Sequence, residues 1–297
     1  MKFFLSLICL HGLLVFQTLS LSAKAPRIRW IADVRKWNLK GDETFRQSAA
    51  AGMQSFMADN ELFEAYKNRA EELRYMAKAT GMKNWMLDAG VLSFDGSDKP
   101  ETLKYLEKLA EFGGKAGAGF LVFHAEKRDA YPAGKAKLSK LALAMDAVAR
   151  IASKHKIRIL MENSMHSICQ TSDELEFTLM QCKEKNTGIL LDLAFMAQAG
   201  SNPQEVILKL GKKIQAIRFN DLTRPVKGFA GPNDRNYRLE IPGKGNALSY
   251  PEILEALNKA KFKGIGILGN ASPDDKSNPL QSVQAGKEWL TKAGFSF

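Results

Sequence analysis

The sequence predicts an α/β protein in which one (β/α)8 TIM barrel follows a signal peptide. Short apolar segments alternate with amphipathic helical segments along the whole chain after residue 23. The length from residue 24 to residue 297 suits a single barrel. Polar residues collect where the apolar segments end, which is the position of the functional site in such barrels.

Residues 1–23 have the pattern of a secretory signal peptide. Lys2 is followed by an apolar run from Phe3 to Leu21, and small residues come next. Several polar residues interrupt the run, which argues against a membrane anchor. We therefore predict a signal peptide at residues 1–23 and a barrel at 24–297, exported to the periplasm or the extracellular space, with no membrane span after processing.

The charge and the cysteine content bear on nucleic-acid binding and on disulfide formation. The net charge of +11 could attract nucleic acid, but lysines alternate with glutamates in segments such as residues 101–115, which is typical of solvated helix faces. We therefore predict no nucleic-acid partner. Only Cys169 and Cys182 follow the leader, too few for a disulfide scaffold. Whether they pair and which oligomer forms both stay open.

Eight candidate strands can be assigned from short apolar runs. They are Ile28–Val34, Met53–Ala58, Lys83–Asp88, Gly119–His124, Arg158–Glu162, Gly188–Asp192, Gln215–Asn220 and Gly264–Leu268. Helical patterns between them include Asn68–Thr80, Leu138–Lys154, Asp173–Lys183 and Pro251–Ala260. A doubly wound sheet is the alternative, but it usually has a glycine-rich loop after the first strand, and residues 32–40 contain no glycine. The barrel is therefore favoured.

Helix boundaries are marked by local sequence signals. Thr171 and Glu174 have the spacing of a capping box, and Asn202 with Pro203 forms an N-cap followed by a first helical residue. Gly113 is the expected end of an earlier helix.

Charged and polar residues end four consecutive candidate strands. His124 ends the fourth, Glu162 the fifth and Asp192 the sixth, and Arg218 lies at the end of the seventh. Each residue alone is as consistent with a rim ion pair as with a functional site. Together they predict a polar pocket, because the carboxyl ends of barrel strands meet at one face.

Five motifs in the second half of the chain carry a resemblance to a known family. They are ILMEN at 159–163, GILLD at 188–192, AIRFND at 216–221, IPGKG at 241–245 and YPEI at 250–253. In this order they resemble the xylose-isomerase-like barrels, a group of sugar isomerases and epimerases that includes hydroxypyruvate isomerase and the ketose 3-epimerases. The resemblance is dense over residues 154–268 and architectural before that.

The resemblance implies a divalent metal such as Mn, Co or Mg, held by Glu, Asp, His and Glu at the ends of strands five to eight. Glu162 and Asp192 match the first two ligands, whereas Arg218 and Gly269 stand at the other two positions. We therefore predict no cofactor and no bound metal. If a metal does bind, Glu162 and Asp192 are the ligands expected.

Electrostatics decides what Arg218 does in such a site. A guanidinium about 4 Å from a divalent ion would be repelled by roughly 8 kcal/mol, twice the value for a unit pair at an effective dielectric constant of 20. The economical arrangement places the Arg218 guanidinium in the metal position, hydrogen-bonded to Glu162 and Asp192. Glu162 is then the catalytic proton carrier, and Asp192 and Arg218 are substrate-binding residues.

Further substrate-binding candidates come from other strand ends and loops. His124 is expected to line the pocket, and Lys244 lies between two glycines whose N–H groups could help it to hold an anion. Arg238 matches a substrate-contacting arginine that the resemblance implies, with Arg224 and Arg235 as alternatives. The expected substrate is a small sugar or sugar acid.

Two functions stay open from the sequence. One is a sugar isomerase or epimerase with a remodelled site, and the other is a barrel that binds a carbohydrate or acidic sugar without catalysis. A multi-zinc endonuclease is disfavoured because the chain after the leader contains only three histidines, at positions 124, 155 and 166.

Overall fold

The computed structural model describes residues 26–35, 37, 42–93, 99–225, 228, 231, 236–269 and 279–297. The predicted signal peptide and Arg235 lie outside the described residues. Export and the role proposed for Arg235 therefore stay predictions.

Eight parallel strands close into a barrel, which confirms the predicted fold. They are β1 (Arg29–Asp33), β2 (Ser55–Ala58), β3 (Trp85–Leu92), β4 (Ala118–Ala125), β5 (Arg158–Glu162), β6 (Thr187–Asp192), β7 (Ile214–Arg218) and β10 (Ile265–Leu268). The barrel closes where β1 pairs in parallel with β10. All eight segments predicted from the sequence coincide with these strands. A short antiparallel hairpin, β8 (Asp221–Thr223) with β9 (Arg238–Glu240), follows β7.

Helices surround the barrel. They are α1 (Asp42–Ala50), α2 (Asn60–Tyr66), α3 (Ala70–Ala79), α4 (Pro100–Ala116), α5 (Lys135–Ser153), α6 (Ser172–Gln181), α7 (Leu193–Gln198), α8 (Pro203–Leu210), α9 (Tyr250–Lys259) and α10 (Pro279–Lys292). The four predicted helices correspond to α3, α5, α6 and α9.

The predicted helix-boundary signals are confirmed with one exception. Thr171 and Glu174 form a reciprocal capping box, and the Asn202 side chain accepts the N–H of Gln204. Gly113 does not end α4, which continues to Ala116 and is capped by a left-handed glycine at position 117. A side chain at Gly113 would lie 2.8 Å from Ile157, so this glycine instead permits close packing under β5.

The barrel interior is filled by one apolar layer. Alternate residues of a strand point to the same side, so the inward-facing positions can be read two apart along each strand. The interior side chains are Ile31, Met57, Met86, Val122, Leu160, Leu190, Ala216, Ile265 and Ile267. A second, larger apolar cluster lies between the strands and the helices. The interior layer closes the barrel below its carboxyl end.

Cys169 and Cys182 are both free. Burial raises the pKa of each thiol, Cys169 and Cys182, to about 12. They are therefore thiols of low reactivity at neutral pH. Within the described part of the chain, no helix combines the length and apolar character that crossing a membrane requires.

Candidate functional site

The strand period places a polar layer directly above the apolar one. Seven polar residues stand two positions after an inward-facing core residue. One of them, Asp59, caps α2, and the other six form the polar layer at the mouth of the barrel: Asp33, Asp88, His124, Glu162, Asp192 and Arg218. Gly269 holds the same position after Ile267 of β10 and contributes no side chain.

Arg218 lies at the centre of this layer. Its Nε donates to Oε1 of Glu162 at 2.8 Å and lies 3.4 Å from Oδ2 of Asp192. Its Nη1 pairs with Asp33, and only 5 % of its side chain is exposed. Three carboxylates thus converge on one buried guanidinium, whose planar set of donors can serve several acceptors at once. The contacts with Glu162 and Asp192 are those that the sequence predicted.

Asp192 is fixed by neighbours on both sides. Its Oδ1 accepts the N–H of Phe195 at 2.9 Å, and its Oδ2 accepts the side-chain amide of Asn220 at 3.0 Å. Asn163 binds both the N–H and the carbonyl of Asp192. Burial and the nearby Glu162 raise the pKa of Asp192 to about 7, although Arg218 acts in the opposite direction. Asp192 is therefore partly protonated at neutral pH.

Asp33 behaves in the opposite way. Burial alone would raise its pKa, but the guanidinium groups of Arg35 and Arg218 lower it to about 2. Nε of Arg35 donates to Oδ1 of Asp33 at 2.9 Å. Asp33 is consequently a permanent anion that joins the two arginines.

The solvent side of the cluster consists of Arg35, Asp88 and His124. Nη1 of Arg35 lies 2.5 Å from Oδ2 of Asp88, and Nε2 of His124 lies 3.3 Å from the same oxygen. Their side chains are 19 %, 14 % and 23 % exposed, more than any other member of the cluster. Burial opposes protonation of His124, but the bond to Asp88 and the charge of Glu162 raise its pKa above the ordinary value.

Glu162 connects the two halves of the cluster through its two oxygens. Oε1 is bonded to Arg218, whereas Oε2 is buried and has no hydrogen-bond donor among the described residues. Oε2 lies 3.5 Å from Nε2 of His124 and 4.0 Å from Nη1 of Arg35. A buried carboxylate oxygen without a donor is rare, because the loss of hydration costs about 1–3 kcal/mol. Oε2 is therefore a hydrogen-bond acceptor of this layer that no donor of the described residues uses.

The donor set does not fit the divalent metal that the resemblance implies. The Arg218 guanidinium fills the space between Glu162 and Asp192, and no group of three or more acidic, histidine or cysteine side chains within the described ranges is arranged to hold a metal. Gly269 has a φ of +105°, and a Cβ there would lie 3.2 Å from the carbonyl oxygen of Asp33. The backbone itself therefore disfavours a ligating side chain at this position.

The loop containing Lys244 surrounds an internal anion. The backbone N–H groups of Gly243 and Gly245 bond the Asp221 carboxyl, and a Cβ at Gly245 would lie 2.4 Å from that carboxyl group. Burial raises the pKa of Asp221 to about 6 despite these bonds. The glycine N–H groups that we predicted to help Lys244 hold an anionic ligand are thus bound to Asp221. The Lys244 side chain is exposed.

Arg238 also lies apart from the central cluster. It pairs with Glu240 on β9 at 2.5 Å, and 67 % of its side chain is exposed. No described contact joins Arg238 or Lys244 to Glu162. The structure therefore brings together His124, Glu162, Asp192 and Arg218 from the predicted set, and it leaves Arg238 and Lys244 outside this network.

Sequence reasoning missed three members of the site. Asp33 ends β1, Arg35 follows it by two residues, and Asp88 ends the predicted third strand, although β3 continues to Leu92. A charged residue at a strand end, the signal used for strands four to seven, is thus present at strands one and three as well. Applied there, the same rule finds Asp33 and Asp88, whereas Arg35 lies beyond the end of its strand.

Comparison with known families identifies this architecture. The sequence model of the family described as "Xylose isomerase-like TIM barrel" matches residues 45–293, most of the chain. The chain belongs to this family. Membership confirms the resemblance and agrees with the closed eight-stranded barrel.

Curated relatives are distant. The rhizopine catabolism protein MocC of Rhizobium meliloti is 24% identical over 150 residues, which are 47% of this chain and 46% of that protein. An inosose dehydratase of Clostridium botulinum strain Alaska E43 is 19% identical over 275 residues, 85% of this chain and 91% of the relative. MocC and two further inosose dehydratases are matched over only about half of their length, 46%, 52% and 54%.

Solved structures show the same fold at low identity. IOLI, crystallised with a zinc atom, has a TM-score of 0.74 at 18% identity and covers 90% of this chain and 98% of its own. The probable 3-DHS dehydratase AsbF of Bacillus anthracis has a TM-score of 0.71 at 14% identity, with 89% and 99% covered. The 3-keto-D-glucoside 4-epimerase YcjR of E. coli has a TM-score of 0.68 at 16% identity, with 89% and 99% covered.

Proposed function

We propose that this chain removes a proton next to the carbonyl group of a small polyhydroxylated ketone, in a site where Arg218 stands in place of a metal ion. The observation that carries the proposal is the buried Oε2 atom of Glu162, which has no donor among the described residues and lies 3.5 Å from Nε2 of His124. A carboxylate with a free oxygen beside an imidazole is an acid–base pair.

The roles of the two groups follow from their surroundings. Glu162 accepts the proton from carbon through Oε2, because Arg218 occupies its other oxygen. The bond to Asp88 and the charge of Glu162 raise the pKa of His124, which favours its protonated form, and this form can donate a proton to a substrate oxygen. Both described contacts of His124 use Nε2, and Nδ1 has no partner among the described residues.

The charges of the cluster favour a neutral substrate over a sugar acid. Asp33, Asp88, Glu162 and Asp192 face two arginines and one histidine. The buried Arg218 is already shared among three carboxylates, so it has little capacity left for a substrate anion. The names of the relatives and neighbours, such as inosose dehydratase and 3-keto-D-glucoside 4-epimerase, are consistent with this class of neutral carbonyl compound.

The relatives' names include dehydratase, epimerase and isomerase activities. We infer one shared first step, proton abstraction beside a carbonyl, rather than one of these outcomes. The fate of the resulting enediol depends on which group next protonates it or leaves. The finer activity and the substrate are therefore to be found by experiment.

The test is solvent exchange in heavy water. Protein dialysed against EDTA is incubated with inosose and with ketopentoses and ketohexoses, and loss of the proton next to the carbonyl is followed by proton NMR. We expect exchange that Glu162→Gln abolishes and that His155→Asn, a histidine outside the cluster, leaves unchanged. Exchange that occurs only after manganese or cobalt is added would overturn the metal-free site.

Non-catalytic sugar binding is the second candidate function. It is favoured because Arg218 already contacts three carboxylates of the protein. In that case ligand binding is detected by saturation-transfer NMR, no exchange occurs, and Glu162→Gln still binds. This result would exclude the catalytic proposal and retain the site.

We also propose that the protein is exported. The pattern of residues 1–23 supports this, with one lysine, a long apolar run and small residues at its end. Mass spectrometry of the protein recovered from its native host tests it, because removal of the leader leaves a chain that begins near Ala23.

A further inference from the structure

A cavity lies at the opposite end of the barrel from the Glu162 cluster. Its volume is about 690 Å³, within the range of pockets that hold small molecules. Arg29, Arg158, Ile214 and Ile265 line it, and each is the first residue of a barrel strand. The cavity therefore lies at the amino end of the barrel, away from the proposed chemistry.

Six cationic side chains line this cavity, which we call the basic cavity. They are Arg27, Arg29, Arg158, Lys212, Lys261 and Lys263. No aspartate or glutamate is among the lining residues. None of the six cations forms an ion pair with a carboxylate of the described residues. Residues 1–25, which precede the cavity in sequence, contain no acidic residue either.

Some cations elsewhere on the surface are paired with carboxylates. Lys115 pairs with Glu111 at 2.7 Å and Lys259 pairs with Glu255 at 2.6 Å, each one helical turn apart. Grouping six unpaired cations around one concavity costs repulsion that such pairing avoids, because concave low-dielectric walls strengthen the local potential. The net charge of +11 is therefore partly concentrated in one place rather than spread evenly over the helices.

Arg29 supplies a second, independent observation. It is half-buried, and its Nε is shielded from solvent without an acceptor among the described residues. Burial also lowers the pKa of Arg29, and no carboxylate of the described residues forms an ion pair with it. An arginine donor without an acceptor is destabilising on its own, and a bound anion nearby would compensate its charge.

We propose that the basic cavity binds a small anion that carries two or more phosphoryl or sulfuryl groups. The cations come from four segments of chain, around the start of β1, at the start of β5, after α8 and after α9, so they surround a ligand rather than follow a line. An extended nucleic acid would be matched by a stripe of cations along the surface, whereas these line one concavity.

Calorimetric titration of the full-length protein with tripolyphosphate tests the proposal. We compare the double variant Lys212→Glu/Lys263→Glu with the matched control Lys104→Glu/Lys108→Glu. All four lysines are exposed and outside any described ion pair, and Lys104 and Lys108 lie on α4 away from the cavity. Both variants change the net charge equally.

We expect one tripolyphosphate per chain, at least tenfold weaker binding in the cavity variant and less than a twofold change in the control. Inorganic phosphate and sulfate should both compete, and the stronger competitor identifies the preferred group. Equal weakening in both variants, or no saturable binding, would overturn the proposal. Tighter binding of a short DNA duplex that the cavity variant abolishes would also overturn it, in favour of a nucleic-acid surface. Neither variant touches Glu162, so proton exchange is tested separately.

Discussion

Arg218→Met is the substitution that tests the electrostatic account of the site most directly. It keeps an unbranched apolar stem of similar length but leaves Asp33, Glu162 and Asp192 without their shared cation. Each unit charge pair at about 4 Å is worth roughly 4 kcal/mol at an effective dielectric constant of 20, before desolvation is subtracted. Removing one partner from a buried ion pair has a net cost of about 3–5 kcal/mol.

We therefore expect the free energy of unfolding to fall by about 3–5 kcal/mol at pH 8, measured by urea denaturation with circular dichroism. This corresponds to a fall in Tm of roughly 5–9 °C. In the variant, folding raises the pKa of the abandoned carboxyl groups, so the folded state gains protons in acid. The fall in the free energy of unfolding caused by Arg218→Met should consequently be at most half as large at pH 5 as at pH 8.

Arg238→Met is the matched control, because its ion pair with Glu240 involves a side chain that is 67 % exposed. Its expected cost is below about 1 kcal/mol. The reasoning is refuted if both variants lose the same stability at pH 8, or if the loss in Arg218→Met does not depend on pH.

Three further predictions concern the protonation of Asp192, the metal position at Arg218 and the reactivity of Cys169. The folded state retains a proton on Asp192, whose pKa is about 7, so this group's contribution to stability falls as pH rises from about 4 through 7. The free energy of unfolding, measured with urea, should therefore depend less on pH over that window in Asp192→Asn, by at most ~1.4 kcal/mol per pH unit. An unchanged pH dependence would contradict the raised pKa of Asp192. Arg218→His should gain measurable manganese or cobalt affinity by calorimetry, because three carboxylates then surround an imidazole, and elemental analysis of the unaltered protein should show no stoichiometric metal. Adding Gly269→Glu should destabilise the chain rather than tighten the metal, because its φ of +105° strains any side chain. Cys169 should resist alkylation in the folded protein, since burial raises its pKa to about 12, and rapid modification would place it at the surface.

The barrel could be predicted from the sequence because its signals are local. A run such as Arg158–Glu162 is apolar, short and bounded by helical patterns, and the structure forms β5 over the same residues. The exception, Gly113, shows the limit of local signals. A glycine is typical of a helix end, but here it leaves room for the Ile157 side chain, which would lie 2.8 Å from a Cβ at this position and belongs to a segment distant in sequence.

The candidate site was only partly predictable. Strand ends identified His124, Glu162, Asp192 and Arg218, and their spacing of two from inward-facing core residues explains why they converge. The sequence alone did not assign Asp33 a place beneath Arg218, because these residues are 185 positions apart and meet only when the barrel closes.

The sequence by itself determined the family, the eight strands and the departure from the expected metal ligands, since each depends on residue identity and spacing along the chain. Only the tertiary structure decided how the charges are shared. It assigned the N–H groups of the Lys244 loop to Asp221, left one oxygen of Glu162 without a donor among the described residues and gathered six cations at the opposite end of the barrel. Burial and charge pairing are properties of neighbours in space, and a closed barrel makes neighbours of residues that are far apart in sequence.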